Sequence, residues 1–142
     1  MVGVNEELTS RVAVLGVLRR AYSRRPAVVL TGALFGLQHF SLLVTTPGRS
    51  VDGIALNVLA SATYGFALAA YQARFAWVLP LIVIHALADM TVIMLTVEVS
   101  LAVHMPVHAG FVVVGVLLLR TAADDAPTDV SERAVVRQRR AA

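Results

Sequence analysis

The chain has 142 residues, 58% of them hydrophobic and 15% charged, and a mean hydropathy of +0.76. A soluble domain rarely exceeds about half apolar, so the composition points to an integral membrane protein. With no cysteine, a disulfide framework, a thiolate metal site and a cysteine nucleophile are all excluded. The net charge is +3, and every basic side chain is arginine, gathered mainly at Arg19, Arg20, Arg24 and Arg25 and again at Arg133, Arg137, Arg139 and Arg140. Such clusters mark loops that stay cytoplasmic or touch anionic lipid, rather than a nucleic-acid surface.

The first residues are acidic and polar, which is not the pattern of a cleavable signal peptide. From Asn5 to about Arg20 the chain reads as a helix with Val12, Val14, Leu15 and Leu18 on its apolar face. It is short against the roughly 20 residues of a full span. Ala27 to Thr46 is a clear span entered through Pro26, with Gly32 and Gly36 forming a small-xxx-small face. Thr46 to Ser50 is a turn, and Val51 to Ala73 is a second long apolar helix, interrupted by Asn57 and Gly65 and closed by Arg74.

Phe75 to about Val97 is expected as a third span, with Trp77 at an interface and Pro80 bending its first turns. Glu98 and Ser100 mark its exit, and Leu101 to Leu119 makes the last span. The fold expected is therefore all-α: a polytopic transmembrane helical bundle of about five helices over 1–120. A disordered, Arg-rich cytoplasmic tail follows over 121–142. Loop charges alternate in a way that puts the Arg-rich face and the C-terminus in the cytoplasm.

Acids and imidazoles are costly in hydrocarbon, so a membrane chain that keeps several is using them. Glu6 and Glu7 are followed by Arg11, and Glu7–Arg11 is an i,i+4 pair in which the guanidinium can keep a buried carboxylate ionised. His39 and His85 lie inside apolar runs, and Asp89 stands one turn after His85. At a rise of about 1.5 Å per residue, Glu7 lies ~18 Å from Arg19, His39 ~18 Å from Ala27, and His85 and Asp89 ~15 and ~21 Å from Phe75. In an up-down path these four share one layer, which argues for a single site. Two histidines plus carboxylates suit Zn²⁺ with an open position for water. A metal-free pairing of glutamate base and imidazolium oxyanion donor is equally coherent. His104 and His108 read as packing or interfacial histidines, and Asn57 as a residue that holds helices together.

The three patterns, Glu6-Glu7-x-x-x-Arg11, Phe35-x-x-x-His39 and His85-x-x-x-Asp89, resemble the signature motifs of the CPBP family of intramembrane proteases. That family includes CAAX prenyl endopeptidases and bacterial Abi (bacteriocin self-immunity) proteins. The similarity covers roughly residues 4 to 92. It implies that Glu6 activates water for attack on a scissile carbonyl, with Glu7 as the second acid and Arg11 beside it. It also implies that His39 binds or polarises the water, directly or through a metal, and that His85 and Asp89 stabilise the oxyanion or ligate. Glu7, His39, His85 and Asp89 are the metal ligands so implied. Asp89 departs from the asparagine common in relatives. Relatives also carry further helices ahead of the Glu-Glu pair, so an N-terminally truncated bundle is expected. The function implied is an intramembrane endopeptidase, a hydrolase acting on membrane-associated or lipidated peptides. The alternative is a catalytically inactive relative serving as a membrane immunity or scaffold protein. An ion or proton pathway is disfavoured, since its polar residues would be spread along a pore.

Overall fold

A computed structural model describes residues 2–41, 45, 48, 50–94 and 100–120, with side chains from residue 3 and excluding 92–94. The expected tail at 121–142, most of the turn at 46–49 and the span exit at Glu98 lie outside the described residues. Five helices are present among them and no strand. The first, α1, covers residues 2–21: an α-helical Val2–Glu7, a π-helical Leu8–Val14 and an α-helical Leu15–Ala21. Helix α2 is Arg24–Leu37, tightening into a 3-10 turn over Gln38–Ser41; α3 is Val51–Phe75, α4 Leu79–Met94 and α5 Leu101–Arg120.

Local chemistry sets several of these boundaries. The Ser50 hydroxyl accepts from the Gly53 N–H at 3.1 Å, capping α3, and Asp52 sits in its positively polarised first turn. At the other end Ala76 takes a left-handed conformation (φ 53°) and its N–H reaches the Gln72 carbonyl, which stops the helix. Two differences from the sequence expectation follow. The fourth helix begins at Leu79 rather than Phe75, leaving Trp77 exposed in the connection. Pro80 is then the second residue of α4, where a missing N–H costs nothing, so it starts the helix instead of bending it. Pro106, by contrast, lies inside α5, which continues past it.

Helix α3 is the centre of the bundle, packing against α2 on one side and α5 on another, while α4 packs against the start of α1. The α2–α3 approach depends on glycine. A Cβ on Gly36 would stand 2.6 Å from the Ala62 Cβ and 2.5 Å from the Val58 carbonyl oxygen; one on Gly65 would stand 2.8 Å from the Phe35 ring. The small face expected at Gly32 and Gly36 is therefore the contact face, and Gly65 is the recess that receives Phe35. Leu15, Ala27, Val28, Ala69, Ala70 and Leu119 form the buried core where α1, α2, α3 and α5 meet.

The outer faces are apolar. Helices α3 and α5 are long and apolar enough to cross a membrane, and only 6% of the apolar stretch of α5 is buried within the protein. In water such a surface would be a liability; against lipid it needs no cover.

Candidate active site

Glu7 is the most enclosed acid in the described structure, with its side chain fully buried. Its Oε2 pairs with Arg11 Nε at 3.0 Å, and Oε1 lies 3.3 Å from Arg11 Nη2. The guanidinium also lies 4.6 Å from the Phe35 ring centroid, on its face. All of this happens where α1 widens into its π-helical stretch, a local distortion that recurs at functional sites.

His85 Nδ1 stands 2.7 Å from Glu7 Oε1. An ionised carboxylate only accepts, so Nδ1 carries the proton and donates. That fixes the ring, and Nε2 is left toward two further acids: Glu6 Oε2 at 3.5 Å and Asp89 Oδ1 at 3.6 Å. The Tyr64 and Phe35 rings meet the imidazole edge to face, with centroids 5.5 and 5.9 Å away. The order Arg11–Glu7–His85 is a relay of orientation: a buried charge holds a carboxylate, which holds an imidazole.

Glu6 and Glu7, adjacent in sequence, thus have different surroundings. Glu7 is sealed, whereas the Glu6 side chain keeps 27% of its surface and lines a cavity of about 570 Å³. Asp89, His85 and His39 line the same cavity. His39 sits in the 3-10 turn Gln38–Ser41 that follows α2, and its Nδ1 donates to the Phe35 carbonyl at 3.0 Å, leaving Nε2 free of that bond. Its ring lies 5.5 Å from Phe35. So Glu6, Glu7, Arg11, His85 and Asp89 are joined by direct polar contacts, and His39 reaches them through Phe35 and the shared cavity.

Among the described residues no group of three or more His, Asp or Glu side chains is arranged to hold a metal ion. Both oxygens of Glu7 are already engaged by Arg11 and His85. The four-ligand set expected from the sequence, Glu7, His39, His85 and Asp89, does not converge on one point in this arrangement.

The cavity also has a wall that sequence reasoning did not assign to the site: Asn57, Ala60, Ser61 and Tyr64 from α3, and His108 and Phe111 from α5. Asn57, Ser61 and Tyr64 follow one another by four and three, the spacing of one helix face, which was the available signal. His108, an imidazole in an apolar helix at a depth like that of the others, carries a signal of the same kind, which by itself reads as packing.

With this geometry in hand, the comparison with known families is decisive. The family model described as Type II CAAX prenyl endopeptidase Rce1-like matches residues 1–91. The chain belongs to this family. Rce1-like proteins are membrane-embedded proteases, and the matched stretch runs from α1 to Thr91 in α4, carrying Glu6, Glu7, Arg11, His39, His85 and Asp89. Helix α5 lies outside it. No curated protein and no solved structure matches the chain.

Proposed function

We propose that the chain is a multi-pass intramembrane endopeptidase of the CAAX type, hydrolysing peptide bonds of membrane-associated or lipidated peptides, with its C-terminus in the cytoplasm. One observation carries this: a fully buried Glu7 locks His85 so that Nε2 points to two carboxylates at the edge of a cavity walled by apolar helices. Glu6 is the carboxylate that meets the cavity, and it acts as the base. It takes a proton from a water molecule whose oxygen attacks the scissile carbonyl, and returns that proton to the amide nitrogen as the C–N bond breaks and the amine leaves. When Nε2 is protonated too, His85 donates to the oxygen that gains charge; Glu7 keeps the imidazole oriented for that and does not itself react. His39, through its free Nε2, positions the water. The helices exclude bulk water, so the attacking molecule is one the polar groups hold.

The test is peptidase assay of the purified protein in lipid nanodiscs with an S-farnesylated CAAX peptide. Wild type should cleave; Glu6→Gln, His39→Ala and His85→Ala should not. Equal rates in wild type and all three variants would sink the site. Activity that persists in chelator but disappears in Glu6→Gln would support hydrolysis by glutamate and water alone.

A further inference from the structure

The hydrolytic groups occupy the α1 and α4 side of the cavity; the α3 and α5 side has chemistry they do not use. Asn57 Oδ1 and Tyr64 Oη are buried there without a hydrogen-bond partner among the described residues. His108, on α5, is tied down by its other neighbour. The Thr63 hydroxyl lies 2.8 Å from the Ala60 carbonyl and 3.1 Å from His108 Nδ1. A carbonyl can only accept and a hydroxyl has one proton, so Thr63 donates to Ala60 and Nδ1 donates to Thr63. The neutral ring then carries its lone pair on Nε2.

The two cavities say where that lone pair is available. Thr63 lines a second, smaller cavity of about 220 Å³ and not the first, beside Leu56, Leu59 and His104, whereas His108 and Ala60 line both. His108 stands between them: Nδ1 is held by a residue of the smaller cavity, and Nε2 is the nitrogen left free of that bond. Phe111 braces it, with ring centroids 5.9 Å apart, and in turn packs on Tyr64 at 5.2 Å.

We propose that His108 Nε2 accepts a hydrogen bond from a main-chain N–H of the substrate peptide, seating it against the Asn57–Tyr64 face for attack. The occupant is argued from the lining. Glu6, Asp89 and His108 Nε2 offer acceptors, and a peptide backbone brings the N–H donors that match them, whereas an acyl chain brings none. This rests on the peptidase reading above and adds a substrate-positioning residue outside the family-matched stretch.

The experiment measures KM and kcat in nanodiscs for the S-farnesylated CAAX peptide and for analogues in which single backbone amides are replaced by esters. His108→Phe, which keeps the ring contact with Phe111, should raise KM about tenfold while kcat falls less than twofold, one lost hydrogen bond being worth about that much. His108→Gln, whose amide oxygen can take the place of Nε2, should recover most of the loss. One ester analogue should cost wild type about the same factor and cost His108→Phe nothing further. The ¹⁵N shifts of His108 should report the Nδ1–H tautomer, lost in Thr63→Val. An unchanged KM in both variants, an Nε2–H tautomer, or an ester series that affects wild type and His108→Phe alike would overturn the proposal while leaving the peptidase intact. A wild type that neither binds nor cleaves the peptide would overturn both.

Discussion

Glu7 and His85 are 78 residues apart in the chain and 2.7 Å apart in the structure, carboxylate to imidazole. Their contact ties α1 to α4 and decides which nitrogen of His85 faces the cavity. Replacing Glu7 by Gln keeps the volume but replaces an obligate acceptor with an amide and leaves Arg11 buried without its counter-charge. Peptidase activity should drop by a factor of ~10³ or more, as when a triad carboxylate is neutralised. Stability should fall by about 3–5 kcal/mol, the cost of breaking a buried pair from one side. Steady-state kinetics and chemical unfolding in detergent check the two effects separately.

Glu6→Gln should behave differently, although it alters the neighbouring residue. Glu6 is only partly enclosed, and its contact with His85 at 3.5 Å is one that Asp89 also makes, so the fold should be retained within about 0.5 kcal/mol while cleavage is lost. If Glu6→Gln unfolds the protein and Glu7→Gln does not, the division of labour between the two acids is reversed from the one argued above.

Arg11→Lys tests geometry rather than charge. The guanidinium contacts both Glu7 oxygens and stacks on Phe35; an ammonium cannot do both at once. A loss of about 1–3 kcal/mol is expected, together with a reduced kcat as His85 loses its fixed orientation. An unchanged melting temperature would remove Arg11 from the support of the site.

Asp89→Asn should raise activity. The Asp89 carboxylate lies 3.6 Å from His85 Nε2 and, when ionised, can only compete as an acceptor. An amide there weakens that competition, its oxygen being uncharged, and adds a donor toward the developing oxyanion, worth about tenfold or more in kcat. A fall in kcat would assign Asp89 a role as an acid or base instead.

Gly36→Val is a control on the scaffold. The new side chain would collide with the Val58 carbonyl and Ala62 of α3, which are backbone and short side chain with little room to yield. Overpacking of this kind should cost about 1–3 kcal/mol or more. Because the same helix carries Phe35 and leads into His39, activity should fall with it, readable as a lowered unfolding midpoint.

Much of this is legible in the sequence. Helix count followed from apolar length, and a close-contact face on α2 followed from Gly32 and Gly36, though not that its partner is α3. The polar residues that cluster were visible because acids and histidines stand out in hydrocarbon-like sequence. What escaped was register and closure. The π-helical stretch around Arg11 has no signal of its own, the stop at Ala76 uses a residue with no left-handed preference, and nothing in the spacing marks the 3-10 turn that carries His39.

By itself the sequence determined that the chain is helical and apolar, that Glu6, Glu7, Arg11, His39, His85 and Asp89 are its costly residues, and that their order resembles one family of membrane proteases. Local spacing could pair Glu7 with Arg11 and His85 with Asp89, because i,i+4 neighbours share a helix face. Only the tertiary structure decided that Glu7 is sealed while Glu6 meets the cavity, that His85 is held through Nδ1, and that His108 joins the wall. Those are facts about which helix faces another. They depend on how α1, α3, α4 and α5 rotate and approach, and no window of sequence shorter than the whole bundle contains that information.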